Sequence, residues 1–295
     1  MRGQQAGTDD GDAVLADALA AYRIALGPRL LAGYALGSLA HGGFSPLVSD
    51  VDLALILQDP LRRADRWTMR RIAGDVRAAG GSALHRRLSV FWGTPATLRG
   101  QAAGGRFPPL DRLDLLQNGR LRTGRDARDG LPRPERSDLL VEGAKFALES
   151  LGGAGPLSHR LVDLAKTRGH PHNDATAEIR DPARLVAEGP RRLTKVVLFP
   201  VRFLFTAATG RVGTNADASE HYLAAGGAPA ADLVAAALAW RTAPPAGQQP
   251  AIALVRSELV PLYVQFIDDH IARLHAEGQH ALAGGFRRWR ARLLA

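Results

Sequence analysis

Residues 34–57, YALGSLAHGGFSPLVSDVDLALIL, constrain the fold of this 295-residue chain more than any other segment. An apolar run ends at Gly37 and Ser38, and a second apolar run opens with Asp50 and Asp52. Short apolar runs bounded by glycine, proline and serine are typical of buried strands. Because residues i and i+2 of a strand point to the same face, we expect the two carboxylates side by side at a strand end.

This pairing of carboxylates points to a bound cation. Two neighbouring carboxylates repel each other unless a positive charge lies between them. Mg²⁺ takes oxygen ligands and usually keeps positions for substrate phosphates. Gly37 lets the backbone approach a ligand closely, and Ser38 with the amides that follow can hold phosphate oxygens. Each pair alone is weak evidence, but their order around a Gly-rich turn favours a site for Mg²⁺ and a phosphate-bearing ligand.

Hydrophobic periodicity predicts further elements around this segment and a change of class after it. The first part alternates strands with helices, which is typical of a small α/β domain. Its predicted helices are 12–26, 60–79 and 109–117, its predicted strands are 30–36, 51–57, 88–92 and 120–123, and 93–106 is predicted to be a loop. A charged segment with two prolines, residues 131–137, marks the boundary between predicted domains 1–130 and 131–295.

The second predicted domain is helical throughout. The predicted helices are 138–152, 156–168, 190–209, 216–225, 229–241 and 251–278. Pro261 is expected to kink or split the last of these, because proline lacks the amide hydrogen of an interior helix position. His170 and His172 lack flanking acidic or cysteine residues at ligand spacing, so we predict no metal site there.

Composition narrows the class of protein. The chain is 46% hydrophobic and contains no cysteine, which predicts a globular protein without disulfides, cysteine-based zinc sites or a thiol nucleophile. No run of 18 apolar residues and no apolar leader is present, so we expect a cytoplasmic protein without a membrane span. The net charge is +9, almost all of it from arginine. Such usage fits either a GC-rich genome or a basic face for an anionic partner.

Three segments resemble the polymerase-β-type nucleotidyltransferases, in the version found in antibiotic adenylyltransferases of the streptomycin and spectinomycin kind. They are GSLAHGGFSPLVSDVDLALIL at 37–57, LLQNGRLRTGRD at 115–126 and RFLFTAATGRVGTNADASEHY at 202–222. The resemblance implies an α+β fold. An N-terminal nucleotidyltransferase domain with a small mixed sheet and helices would precede an all-α helical-bundle domain, with the active site between them.

The resemblance also implies roles for individual residues. Gly37 and Ser38 would hold the terminal phosphates of a nucleoside triphosphate, and Asp50 and Asp52 would coordinate Mg²⁺. Arg202 would reach the triphosphate, a role that suits a planar guanidinium. The plainer interpretation of Arg202 is an arginine whose stem lies over an apolar helix face.

Two positions depart from the family pattern. Ser89 stands in the third strand, where many relatives have a third carboxylate, and Asn215 stands where relatives commonly have lysine. The streptomycin-type enzymes also lack the strand carboxylate and take an acidic base from a later element. The candidates for that base here are Asp111, Asp114, Glu142 and Glu149.

The predicted function is Mg²⁺-dependent transfer of AMP from ATP to a hydroxyl of a small molecule, with release of pyrophosphate. The acceptor would be aminoglycoside-like or another natural product, which implies antibiotic resistance. The alternative is a nucleotidyltransferase-fold module that acts on or through a protein partner, as in toxin–antitoxin pairs, or one that is catalytically degenerate. RNA as the acceptor is supported only by the basic charge, so we do not expect a nucleic-acid partner. The acceptor, the nucleobase and the oligomeric state stay open.

Overall fold

The computed structural model describes residues 2–153 and 175–295. The chain forms two compact units, Met1–Pro134 and Glu135–Ala295. The first unit contains a four-stranded sheet with helices, and the second is built from helices. The α+β class predicted from the sequence is confirmed.

The first unit is organised around two buried strands, β1 (Leu30–Leu36) and β2 (Val51–Leu57). Nearly every residue in them is buried, which explains why both are continuous apolar runs rather than alternating ones. The remaining elements of this unit are α1 (Arg2–Leu26), a 3₁₀ turn (Gly27–Arg29), α2 (Gly37–His41), α3 (Arg63–Ala79), α4 (Ala83–Arg86), β3 (Leu88–Gly93), α5 (Pro95–Leu98), α6 (Pro109–Asn118) and β4 (Arg120–Gly124).

The sheet is small and mixed, as the resemblance implied. Its strand order is β3-β2-β1-β4. β1 pairs with β2 and with β4 in antiparallel fashion, whereas β2 and β3 are parallel. β4 lies at the edge and is largely exposed. The end of β1 and the start of β2 therefore lie next to each other.

Apolar side chains cover both faces of this sheet. On one face Leu15 and Tyr22 of α1 pack with Leu53 of β2 and Met69 of α3. The Tyr22 hydroxyl donates a hydrogen bond of 2.8 Å to the carbonyl of Met69, which satisfies the one polar atom of a fully buried ring. On the other face the core includes Leu115 of α6. α6 is thus held against the sheet beside β1.

Throughout its described residues the second unit is helical, and it has an aromatic core. Its described helices are α7 (Arg136–Ser150), α8 (Ala175–Arg180), α9 (Pro182–Ala187), α10 (Pro190–Thr209), α11 (Asn215–Ala224), α12 (Ala231–Ala239), α13 (Gln248–Ala276) and α14 (His280–Leu294). Tyr263 and Phe266 of α13 pack edge-on against Trp289 of α14, with ring centroids 5.7 and 6.0 Å from it. The Trp289 indole donates to the Thr176 hydroxyl at 3.1 Å, so α8 joins the same core.

Several predicted elements need correction. Pro261 does not split its helix, because α13 runs unbroken from Gln248 to Ala276 with Leu259, Leu262 and Tyr263 buried around the proline. The packing of that face outweighs the loss of one backbone hydrogen bond. The predicted loop 93–106 contains α5, and helices α2, α4, α8, α9 and α14 were not predicted.

The predicted helix 156–168, together with His170 and His172, lies outside the described residues. Among those that the structure describes, α13 is the one helix long and apolar enough to cross a membrane. Its side chains Tyr263, Phe266 and Leu274 are fully buried in the core of the second unit, which accounts for its apolar composition.

Candidate functional site

The predicted carboxylate pair lies at the start of β2. Asp50 directly precedes this strand and Asp52 is its second residue, and both side chains are half-buried. In the antiparallel pairing of β1 with β2, Leu36 lies opposite Asp52. Gly37 and Ser38 follow Leu36 directly as the first residues of α2. The sheet register therefore brings the Gly-Ser pair to the strand end that carries Asp52.

Gly37 packs directly against the carboxylate of Asp52. Its φ angle is +59°, in the left-handed region that favours glycine. A Cβ atom built on Gly37 would overlap with the Asp52 side-chain oxygen Oδ2. Any other residue here would displace Asp52, so the glycine and the carboxylate determine each other's place.

Asp114 of α6 holds the same glycine from another direction. Its Oδ2 accepts a hydrogen bond of 2.7 Å from the Gly37 amide, and its Oδ1 accepts one of 2.8 Å from the Asn118 side-chain amide. Asp114 is only 6% exposed. Both carboxylate oxygens of this candidate base therefore already accept hydrogen bonds within the fold.

The connection between α2 and β2 is held by a serine pair and an arginine. The buried Ser49 hydroxyl accepts from the Ser45 amide at 3.0 Å, and the Ser49 amide donates to the Ser45 carbonyl at 2.8 Å. Arg87 donates to the carbonyls of Pro46 and Leu47 at 2.9 and 3.1 Å. This loop leads directly into Asp50, so these bonds help to place the first carboxylate.

Arg87, Ser45 and Asn118 support this site and are not among the residues predicted from the sequence. Asn118 lies four residues after Asp114, a spacing that brings two side chains together on a helix, so its role was accessible from the sequence. Arg87 had no comparable signal, because it contacts a loop that lies about 40 residues earlier in the chain.

The third strand carries no carboxylate beside the pair. In the parallel pairing of β2 with β3, Asp52 lies opposite Ser89. Within the described residues, no group of three or more histidine, aspartate or glutamate side chains is arranged to hold a metal ion. Any cation at Asp50 and Asp52 would therefore need further oxygen ligands from outside this set.

The other predicted base candidates occupy three different settings. Asp111 lies half-buried in the first turn of α6. Glu142 of α7 forms an ion pair with Lys145 at 2.6 Å. Glu149 lies half-buried near the end of the same helix.

Arg202 lies in the middle of α10, half-buried, between the buried Val201 and the partly buried Phe203. A second guanidinium, that of Arg241, lies near it. Burial and then the positive charge of Arg202 lower the pKa of Arg241 to about 10. Like charges brought together in a partly buried place are stabilised by an anion, which is the setting that a phosphate group would find.

The turn after α10 is held by a left-handed glycine and by Arg136 of α7. Gly210 ends α10 at a φ of +65°. Arg136 donates to the carbonyls of Ala207 and Ala208 in the last turn. Asn215 is the first residue of α11 and follows the N-cap Thr214.

The chain shares its fold with an adenylyltransferase. A search of solved structures matched the crystal structure of spectinomycin adenyltransferase AAD(9) from Enterococcus faecialis, determined with ATP and spectinomycin. The match has a TM-score of 0.50 and covers 83% of this chain and 98% of that one, at 13% sequence identity. No protein-family model and no curated protein matched the sequence.

This likeness confirms the resemblance that the sequence motifs predicted, at the level of fold. At 13% identity it assigns no residue a role. The roles of Gly37, Ser38, Asp50, Asp52 and Arg202 therefore stay predictions. What the structure adds is the local packing around them, above all that of Gly37 against Asp52 and Asp114.

Proposed function

We propose that this protein transfers AMP from ATP to a hydroxyl group of a small molecule and releases pyrophosphate. One observation carries the proposal: Asp50 and Asp52 lie together at the start of β2, with Gly37 packed against the Asp52 carboxylate. The fold shared with an adenylyltransferase whose structure contains ATP supports it.

The carboxylate pair fits Mg²⁺. Both ligands are hard oxygen donors, and they are half-buried on one strand end. Mg²⁺ is usually held by one or two carboxylates and completes its shell with waters and substrate phosphates. Among the described residues no third side chain joins the pair in a metal-binding group, which is compatible with a cation that binds together with a triphosphate. Bound there, Mg²⁺ would orient the triphosphate and neutralise charge developing at the α-phosphorus.

The transfer is an in-line displacement at the α-phosphorus. The acceptor oxygen forms a bond to this phosphorus, the bond to the bridging oxygen breaks, and pyrophosphate leaves with that electron pair. The hydroxyl proton passes to an acidic side chain. Asp111, Glu142 and Glu149 are the candidates, since Asp114 already accepts two hydrogen bonds from the fold. Ser38 would donate its hydroxyl to a terminal phosphate oxygen.

Arg202 would bind the triphosphate, with Arg241 beside it. Two guanidiniums that face one polyphosphate would bind it strongly, because each can donate two parallel hydrogen bonds to phosphate oxygens. The lowered pKa of Arg241 fits this proposal, because burial and, after it, the positive charge of Arg202 both disfavour the charged form of Arg241.

The direct test is an acceptor screen by mass spectrometry. The protein is incubated with ATP and Mg²⁺ and with panels of aminoglycosides, aminocyclitols, other sugars and natural-product alcohols. We expect one class to gain the mass of an AMP group with equal release of pyrophosphate, and Asp52→Asn to abolish the gain. ATP binding without any transfer, across all panels, would contradict a small-molecule acceptor.

A second function is favoured by one observation, the pairing of Asp52 with Ser89 instead of a third carboxylate. A module with a reduced site would act on or through a protein partner, or would be catalytically degenerate. Incubation with labelled ATP and a host lysate separates these outcomes. Label on a protein hydroxyl indicates a protein acceptor, whereas ATP binding without any label transfer indicates a degenerate site.

A further inference from the structure

We propose that Asp114 is a positioning residue that fixes Gly37 and, through Gly37, the Asp52 carboxylate. The proposal rests on the proposed function, because it assigns Asp114 a task at the same strand end. It also removes Asp114 from the candidates for the catalytic base.

Burial and geometry favour this role. Asp114 is 6% exposed, and a carboxylate that is taken out of water must be satisfied by donors. Its two oxygens have one donor each, the Gly37 amide at 2.7 Å and the Asn118 amide at 2.8 Å. Hydrogen bonds to an ionised acceptor are short and about twice as strong as neutral ones, so Asp114 holds the Gly37 amide strongly.

Gly37 couples the position of Asp114 to that of Asp52, because it contacts both carboxylates. Its amide donates to Asp114, while its Cα lies so close to Asp52 that no Cβ fits between them. A shift of Gly37 away from α6 would carry it into the Asp52 side chain or open a gap beside it. The position of Asp52, which would hold Mg²⁺, thus depends on the hydrogen bond between Gly37 and Asp114 of α6.

Apolar packing fixes the position of α6, the helix that carries Asp114. Leu113 and Leu115, on either side of Asp114, are fully buried, so α6 cannot rotate without exposing them. α6 packs against both α2 and β1. The apolar contacts fix the position of α6. The hydrogen bond from the Gly37 amide to Asp114 then fixes the position of that amide.

The test compares Asp114→Asn with Asp114→Ala. Asparagine can accept from the Gly37 amide through its side-chain oxygen and donate to a flipped Asn118 side chain, so the anchor survives. Alanine removes the acceptor altogether. We expect Asp114→Ala to lose about tenfold to a hundredfold in affinity for ATP with Mg²⁺ and in transfer, the range typical of residues that orient metal ligands. Asp114→Asn should recover most of this loss.

A catalytic base would behave differently, because an asparagine amide cannot take up a proton. If Asp114 were the base, both variants would lose transfer alike while ATP affinity stayed unchanged, and that result would overturn the proposal. Gln117→Ala, an exposed change on the same helix, is the matched control and should leave affinity and transfer as in the wild type.

The anchor can also be observed without any activity. The amide proton of Gly37 in a ¹H–¹⁵N spectrum should resonate far downfield in the wild type, stay downfield in Asp114→Asn and move upfield in Asp114→Ala. An unchanged Gly37 amide in Asp114→Ala refutes the anchor. A shifted amide, with no transfer to any acceptor by the wild type, confirms the anchor and refutes the proposed function instead.

Discussion

The two units place their candidate phosphate-binding groups by different means. In the first unit, the end of β1 and the start of β2 meet by sheet register, and Gly37 is locked between Asp52 and Asp114. In the second unit, Arg202 lies on the side of a long helix between residues that pack into an apolar core, with Arg241 as its charged neighbour.

This difference explains how much each motif reveals. At a strand end, glycine and carboxylates at these spacings are compatible with few local structures. The same sequence pattern therefore predicts both the local geometry and the binding role. On a helix, an arginine between apolar residues looks the same whether it binds a ligand or covers the core. The site in the first unit can thus be tested by removing single carboxylates. In the second unit, a test must distinguish a functional from a structural role of the same arginine side chain.

The largest effect is expected at the carboxylate pair. Asp50→Asn and Asp52→Asn should each lower transfer by about a thousandfold or more, because losing a metal ligand removes several kcal/mol of transition-state stabilisation, at about 1.4 kcal/mol per tenfold. The fold should persist, because asparagine keeps the size and shape of the aspartate side chain at both positions. Turnover measures transfer, calorimetric titration with an ATP analogue and Mg²⁺ measures nucleotide affinity, and a thermal melt checks the fold.

Asp75→Asn is the matched control for this pair. Asp75 is an exposed aspartate on α3 with an ion pair to Arg71 at 3.2 Å, and its loss should leave turnover unchanged. If Asp50→Asn and Asp52→Asn keep wild-type affinity and turnover, the metal assignment is wrong.

The next effect separates the two interpretations of Arg202. Arg202→Lys keeps the charge and a similar stem but cannot form a planar two-point contact. A hydrogen bond to a charged group contributes about 1.5–3 kcal/mol, so ATP affinity should fall about tenfold to a hundredfold. If Arg202 only covers apolar surface, Arg202→Lys should stay within about twofold of the wild type, because the stem is kept.

Arg241→Lys extends the same comparison. If both guanidiniums bind one polyphosphate, each single change weakens ATP binding, and the double variant loses less than the sum of the two because the groups act together. Arg256→Lys, an exposed arginine on α13, is the control. Strict additivity of small losses would show that the two arginines do not share a ligand.

The sequence predicted the elements that have strong local signals. Strands 30–36 and 51–57 match β1 and β2 residue for residue, since buried apolar runs bounded by turns are unambiguous. The helix 190–209 is likewise reproduced, although Pro200 lies inside it. Pro261 shows the limit of such reasoning, because burial of its neighbours outweighs the local cost of proline.

The supports of the candidate site depended on the fold and could not be predicted in the same way. The hydrogen bond from Gly37 to Asp114 joins residues 77 positions apart, and Arg87 reaches the loop before Asp50 across about 40. Such contacts follow from how α6 and β3 pack on the sheet, which no local pattern encodes. From the sequence alone Asp114 is a candidate base, whereas its contacts in the fold favour an anchor.

The smallest effect is expected at an exposed ion pair of the first unit. Hydrogen bonds from the Arg128 side chain hold the pKa of Asp126 well below its ordinary value, and Asp126 also accepts from the Tyr34 hydroxyl at 3.0 Å. Burial raises the pKa of Tyr34 to about 12, so this hydroxyl stays a donor at neutral pH. The Asp126 side chain is 47% exposed, however, and an exposed pair of this kind contributes at most about 1 kcal/mol to stability.

Asp126→Asn should therefore lower the stability of the first unit by less than about 1 kcal/mol at pH 7. A carboxyl whose pKa is lower in the folded than in the unfolded state stabilises the fold above the unfolded pKa, about 3.9, and this contribution is lost as the pH falls further. The difference between wild type and variant should hence shrink below about pH 4. Hydrogen exchange of the β1 amides measures it in the first unit alone. A difference that grows at acid pH would mean that the charge of Asp126 opposes folding. Asparagine still accepts a hydrogen bond from Tyr34, so this variant tests the charge of Asp126 and not the hydrogen bond. A small loss of stability would show that the exposed ion pair contributes little. The buried carboxylate of Asp114 is expected to contribute much more.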